Sequence, residues 1–85
     1  MYTVYVLRSL KDGNLYVGCT SNLKRRLSSH NSGRVRSTKG RRPLTLIYHE
    51  EYEDRVTAFR TECFYKTAKG KGELKKKIEN HCRIV

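Results

Sequence analysis

The chain has 85 residues, of which 36% are hydrophobic and 32% charged, with one proline and a mean hydropathy of -0.77. That length predicts a single domain over 1–85 with a thin core, because so short a chain buries only roughly 60–65% of the surface its unfolded form exposes. The composition excludes a disordered tail, and no apolar run approaches the roughly 20 residues of a membrane helix. Met1 to Arg8 is also too short a hydrophobic patch for a signal peptide, so a cytoplasmic location and no membrane partner are expected.

Nineteen Lys and Arg against eight Asp and Glu leave a net charge of +11. Before Glu50 the only acid is Asp12, set against ten basic residues. Such a surplus attracts polyanions at long range, and nucleic acid is the partner it favours over anionic lipid or mere solubility. Cys19, Cys63 and Cys82 are odd in number and widely spaced, which fits neither a disulfide framework nor a zinc site. They are expected to be small buried hydrophobes.

Tyr2 to Arg8 is rich in Val and Tyr and reads as a strand, paired through a turn at Asp12-Gly13 with a second strand over Leu15 to Cys19. If the connecting loop has an even number of residues, odd positions of the first strand share a face with even positions of the second. Tyr5 then lies beside or diagonal to Tyr16, and Val4, Val6, Leu15, Val17 and Cys19 line the other face. The stretch Ser21 to Ser32 predicts a helix capped by Ser21 or Thr20, with Leu23 and Leu27 inward and a left-handed end at Gly33. Arg26 and His30, four apart, share one side of it.

Gly33 to Pro43 has no usable periodicity and five cations, Arg34, Arg36, Lys39, Arg41 and Arg42, so it reads as a mobile loop able to follow phosphates. Leu44 to Tyr52 is a third strand starting after a proline. Asp54 predicts the N-cap of a helix in which Val56, Phe59 and Cys63 recur at helical spacing, with Ala58, Glu62 and Tyr65 on adjoining faces. Gly70 and Gly72 interrupt it, and Leu74, Ile78 and Cys82 mark a last short helix whose outside carries Lys75, Lys76 and Lys77. The order β-β-α-β-α-α implies an α+β (mixed α/β) domain with a small three-stranded sheet covered by helices.

Thr3-Val4-Tyr5, Tyr16-Val17-Gly18, Arg26, His30 and Glu62, at these spacings, resemble the GIY-YIG nuclease superfamily, most of all its compact stand-alone members. The resemblance implies a three-stranded antiparallel sheet flanked by helices and a metal-dependent endonuclease acting on branched, nicked or single-stranded DNA, with DNA a likelier substrate than RNA, in repair or recombination. In that reading Tyr16 helps activate the attacking water, although a phenol with a pKa near ~10 needs a neighbouring cation or metal to do so. Tyr5 hydrogen-bonds the water or a phosphate oxygen, Arg26 pairs with the phosphate, and His30 orients a tyrosine or relays a proton. Glu62 binds one divalent ion, Mg²⁺ or Mn²⁺, and Gly18 leaves room for the phosphate to approach the sheet.

The first motif keeps only its tyrosine, having Thr3 and Val4 in place of glycine and isoleucine. Ser37 precedes Thr38 where many relatives have a tyrosine, and Asn80 is the one candidate for an asparagine near the last helix. Arg25 beside Arg26, with Arg34, Arg36, Lys39, Arg41 and Arg42, makes the expected nucleic-acid-binding set. Lys69, Lys71, Lys75, Lys76 and Lys77 either extend it or only solvate the C-terminal helix. Other readings stand beside the enzyme: Glu62 as an i,i+4 surface partner of Lys66, and the chain as a catalytically weak or inactive nucleic-acid-binding module or a small interaction domain.

Overall fold

A computed structural model describes the backbone of residues 1–84 and the side chains of residues 1–81. The chain runs through strands β1 (Tyr2–Ser9) and β2 (Leu15–Thr20), helix α1 (Leu23–Asn31), strand β3 (Leu44–Tyr52) and helices α2 (Arg55–Tyr65) and α3 (Ala68–Ile84). The sheet order is β2-β1-β3, antiparallel on both sides, the three-stranded antiparallel sheet that the resemblance implied. Because β1 is central it is covered on both faces, and Thr3 through Leu7 are all buried.

One face of the sheet carries Val4, Val6 and Val17 against Ala58, Tyr65, Leu74 and Ile78 of α2 and α3. The other carries Tyr5, Leu7 and Leu44 against Leu23 and Leu27 of α1. The hairpin connection is even, residues 9 to 14 between the last pair Arg8 and Leu15, so Tyr5 and Tyr16 share the α1 face. Gly13 takes a positive φ of 74° at the tip, and the Asp12 carboxylate accepts the Asn14 amide at 2.8 Å.

β3 has a feature that alternation did not predict. Val6 pairs with Tyr48 but Leu7 pairs with Leu46, so Ile47 is an extra residue in a bulge. An inserted residue flips the facing of everything beyond it. Leu44 and Leu46 therefore pack on the α1 face, whereas Tyr48, Glu50 and Tyr52, also even-numbered, face α2 and α3. There Glu50 accepts hydrogen bonds from the hydroxyls of Tyr48 (2.6 Å), Tyr52 (2.8 Å) and Tyr65 (2.7 Å) and from Lys77 Nζ (3.2 Å). Lys77, expected on the outside of the last helix, is thereby held at a junction of three elements.

The helices differ from expectation in three places. α1 is capped by Asn22, whose side chain accepts the Arg25 amide at 3.1 Å, while Thr20 is engaged one step earlier with the Asn22 amide. Its end is as expected: Gly33 at φ 82° directs its amide to the His30 carbonyl and the Arg34 amide to that of Ser29. α2 is capped by Asp54, but it buries Ala58 and Tyr65 and leaves Val56, Phe59 and Cys63 exposed. Two stripes of that helix have helical spacing, and the buried one is the stripe containing a small residue against β1 and a hydroxyl that reaches Glu50. Cys63 is thus not a core residue, Cys19 is half-buried, and the Cys82 side chain lies outside the described residues.

The break between α2 and α3 falls at Lys66-Thr67, ahead of the two glycines, and α3 runs 17 residues. Thr67 Oγ1 accepts the Gly70 amide at 3.0 Å and donates to the Phe64 carbonyl at 2.7 Å. Gly70 then allows the first turn of α3 to lie directly against that carbonyl, which a Cβ would overlap. The close approach offsets the roughly 0.5–1 kcal/mol that a glycine costs inside a helix.

Burial alone would raise the Glu50 carboxyl, but the hydrogen bonds from Tyr48, Tyr65, Tyr52 and Lys77 outweigh it and hold the group below its ordinary 4.5. A depressed carboxylate contributes stability that is present above the unfolded value and lost as pH falls through the folded one. Glu50→Gln is therefore expected to lower stability by about 1.5–3 kcal/mol at neutral pH, the range for hydrogen bonds to a charged group, and to flatten the loss of stability below pH 4.5. Urea unfolding at pH 7 and pH 3.5 checks both; equal acid sensitivity in the two proteins would remove the cluster from the account.

Candidate active site

The β1–β2 register places Tyr5 opposite Gly18 and Leu7 opposite Tyr16, so the two phenols are diagonal neighbours with ring centroids 6.5 Å apart. With no side chain at Gly18 the Tyr5 phenol lies across that position, and a Cβ there would overlap its hydroxyl and ring. This corrects the expected role of Gly18: the space it leaves is filled by Tyr5, not kept open for a phosphate.

Arg26 and His30 project from consecutive turns of α1 toward the same spot. His30 is 0% exposed and Tyr5 is 1% exposed. His30 Nε2 lies 2.8 Å from the Tyr5 hydroxyl, and its Nδ1 lies 2.7 Å from Thr38 Oγ1. Arg26 Nε donates to the same Tyr5 oxygen at 3.3 Å.

Arginine can only donate, so the Tyr5 oxygen accepts from Arg26, and His30 Nε2 is the one hydrogen-bond partner within reach that can accept the phenol O–H. The imidazole then carries its proton on Nδ1 and donates to Thr38, whose hydroxyl points to the Val35 carbonyl at 3.5 Å. Every group is satisfied, and among the described residues no buried side-chain nitrogen or oxygen lacks a partner. Thr38, a minor candidate from sequence, is the inner end of this chain.

Charge follows from the same geometry. Burial, joined by the Arg26 charge, holds His30 below its ordinary 6.5 and keeps the ring neutral. Burial pushes the Tyr5 phenol above 10, and the Arg26 hydrogen bond pulls it only part of the way back. The Tyr5 hydrogen bond in turn raises Arg26, which stays a cation. Tyr16, half-buried on the edge strand, packs its ring edge-on against His30 with centroids 5.1 Å apart.

Glu62 comes from α2, on the opposite face of the sheet. Its helix packs against β2, and its charge bears on the Tyr5 phenol and on the Cys19 thiol, in each case as a smaller effect than burial. The side chain is 15% exposed and pairs with Lys66 Nζ at 2.7 Å. The reading of Glu62 as an i,i+4 partner of Lys66 thus holds. Among the described residues no three His, Cys, Asp or Glu side chains gather into a metal-binding group, so a metal held by Glu62 would have it as a lone carboxylate ligand. That donor set fits a hard cation completed by phosphate oxygens and water, and does not fit a site needing several protein ligands.

The basic residues divide. Arg25 and Arg34, with Lys24, line a shallow groove on the outer side of α1, and Arg36 and Lys39 are exposed. Arg41 and Arg42 are not part of a mobile arm: Arg41 pairs with Asp12 at 3.3 Å and donates to the Leu15 carbonyl, and Arg42 donates to the Lys39 carbonyl at 2.8 Å. The cause is a short 3-10 turn over Lys39–Arg41, tied down where Ser9 Oγ donates to the Arg41 carbonyl. Asn80 is exposed on α3 and has no hydrogen bond to this cluster.

Asn31 went unread in the sequence, yet its side chain bonds both the amide and the carbonyl of Leu44 and so fixes the end of α1 to β3. An Asn at the last position of a helix is the only signal it offered. Ser9, which gathers the Lys11 and Asp12 amides and the Arg41 carbonyl, offered none.

A family model described as the GIY-YIG catalytic domain matches residues 1–79. A UPF0213 protein of Lactiplantibacillus plantarum is 45% identical over 80 residues, covering 87% of this chain and 75% of its own length. Another, from Staphylococcus haemolyticus, is 38% identical over 73 residues, covering 85% of this chain and 88% of its own. Among solved structures, the solution NMR structure of a UPF0213 protein from Bacillus halodurans superposes with a TM-score of 0.55 at 32% identity, over 89% of this chain and 84% of that one. With the match running through both tyrosines, the arginine, the histidine and the glutamate, the chain belongs to the GIY-YIG catalytic domain family, whose activity is of the nuclease type.

Proposed function

We propose that the protein is a divalent-metal-dependent endonuclease that hydrolyses a phosphodiester of DNA, at a nicked, branched or single-stranded site of the kind met in repair or recombination. The observation that carries this reading is the convergence of Tyr16, Arg26 and the buried Tyr5–His30–Thr38 chain at the β2 edge strand, against whose other face packs the helix that carries Glu62. Arg26 binds the phosphate and offsets the charge that grows as the nucleophile arrives. Tyr5 has its hydroxyl bound on both sides within the protein, so its part is to aim Arg26, and Tyr16 is the phenol left to meet water.

In the hydrolysis a water oxygen forms a bond to phosphorus while the bond to the 3′ oxygen breaks, leaving a 5′-phosphate and a 3′-hydroxyl. The water proton leaves through Tyr16 toward solvent, and the departing 3′ oxygen takes a proton from solvent. Glu62 would hold the metal, Mg²⁺ above all because one carboxylate plus phosphate and water suits it, and the ion when bound supplies Lewis-acid neutralisation of the phosphate. Lys66 must then exchange Glu62 for a phosphate oxygen. A second reading, a nucleic-acid-binding module without turnover, is favoured by one observation, the Glu62–Lys66 pair at 2.7 Å, which occupies the carboxylate.

Glu62→Gln separates the two. The nuclease reading expects it to abolish Mg²⁺-dependent nicking across a panel of branched and single-stranded DNAs, with DNA affinity nearly intact and with Mn²⁺ line broadening of Cys19 and Tyr16 lost in NMR spectra. Unchanged nicking, or a wild type that cuts no member of the panel in either metal, would exclude the metal role of Glu62.

The neutrality of His30 has its own consequence. Its folded value lies below 6.5, so under acid the unfolded chain takes the proton first and stability falls as pH drops below 6.5. The His30 contribution to the slope has a ceiling of about 1.4 kcal/mol per pH unit, the value for one proton, and is expected to disappear in His30→Gln, measured by urea unfolding between pH 7.5 and 5.5. A wild-type slope unaltered by that substitution would show that His30 is not the buried neutral group described.

A further inference from the structure

Beside the candidate site, between the outer edge of β2 and helix α3, runs a cleft of about 790 Å³. Arg8, Arg41, Lys66, Lys71 and Lys75 line it, contributed by β1, the 3-10 turn, the end of α2 and α3, with Glu79 of α3 the one carboxylate among the lining residues. Arg41 is paired with Asp12 and Lys66 with Glu62, but among the described residues Arg8, Lys71 and Lys75 have no carboxylate within ion-pair distance. With five cations to one carboxylate around it, the cleft carries a positive potential that favours a polyanion.

The floor is of another kind. Leu15 and Val17 of β2 and Leu74 and Ile78 of α3 form it, so the cleft is cationic at the rim and apolar beneath. Tyr16 of the β2 edge is among the lining residues, as is Lys66, the partner of Glu62, but the Tyr16 ring packs on His30 across the strand, so the cleft adjoins the candidate site at that edge and does not open into the Tyr5–His30 cluster. The volume is that of a small-molecule pocket and excludes a duplex. A duplex also hides its base faces, whereas an unpaired strand offers phosphates to a basic rim and flat apolar bases to the floor, the combination by which proteins hold single strands.

We propose that this cleft binds a short unpaired segment of the nucleic acid flanking the scissile phosphate, so that the preferred substrate carries a single-stranded arm on the β2 side of Tyr16. The proposal rests on the nuclease reading for the position of the scissile phosphate, but the binding it describes stands without turnover. It gives Lys71 and Lys75 a role that composition left open, and it separates them from Lys69 and Lys76, which are exposed elsewhere on α3.

The test compares wild type, Lys71→Ala/Lys75→Ala and Lys69→Ala/Lys76→Ala in binding to three DNAs of one sequence: a blunt duplex, a duplex with a single-stranded arm, and the arm alone, over a series of salt concentrations. All four lysines are exposed, so the two double variants are matched in charge and fold alike. For the two DNAs with an unpaired segment, Lys71→Ala/Lys75→Ala is expected to lower the slope of log affinity against log salt by about 1.4, two contacts at ~0.7 each. The duplex slope and the matched control stay near wild type.

An equal effect on blunt duplex and armed DNA would overturn the single-strand assignment, and equal effects of the two double variants would overturn the cleft as the site. In both cases the nuclease reading survives. Failure of the wild type to bind any of the three would defeat both together.

Discussion

The Tyr5 hydroxyl is the interaction on which the rest of the structure depends. It is buried, it accepts from Arg26, and it donates to His30, which is held in turn by Thr38. Four residues from β1, α1 and the following loop are thereby locked into one direction of proton donation. A buried polar group left without a partner costs about 1–3 kcal/mol, so no member can be lost without exposing the next. Gly18 belongs to the same constraint, because the phenol lies where its side chain would be. The result is a guanidinium aimed at the surface from a support that does not move with solvent.

The sheet makes that support possible by treating its two faces differently. The α1 face is narrow and carries the phenols, and the α2–α3 face holds most of the aliphatic core. Glu62 belongs to the second face, on a helix packed against β2, the edge strand that carries Tyr16. The bulge at Ile47 serves the division as well: it turns Glu50 toward α2 and α3, where its bond to Tyr65 fixes the helix that carries Glu62. Function at the edge and stability at the Glu50 cluster are thus linked through one helix.

Much of this was legible in the sequence, and what was missed has identifiable causes. The hairpin facing of Tyr5 and Tyr16 followed from the parity of the loop, and Gly33 from the need for a left-handed residue after α1. Arg26 and His30 followed from a spacing of four. The buried face of α2 did not follow, because Ala58 and Tyr65 outweigh Val56 and Phe59 only once the sheet and Glu50 are in place. Hydrophobicity ranks side chains but does not say which stripe meets a partner. The α2–α3 break was displaced from the glycines to Thr67 for a similar reason: a threonine cap and a close carbonyl decide where a helix starts, and composition shows neither. Arg41 and Arg42 looked free in a polar loop, although their partners, Asp12, Leu15 and Lys39, are fixed by tertiary contacts.

At the centre of the site Tyr5 donates a hydrogen bond to a neutral His30 and so leaves its oxygen to accept from, and position, Arg26. Long-range ¹H–¹⁵N correlation NMR of the three histidines at pH 7 tests it directly, because it reports which ring nitrogen carries the proton. The structure requires His30 to be neutral with hydrogen on Nδ1 and a bare, hydrogen-bonded Nε2. A doubly protonated ring, or hydrogen on Nε2, would reverse the chain and contradict the account.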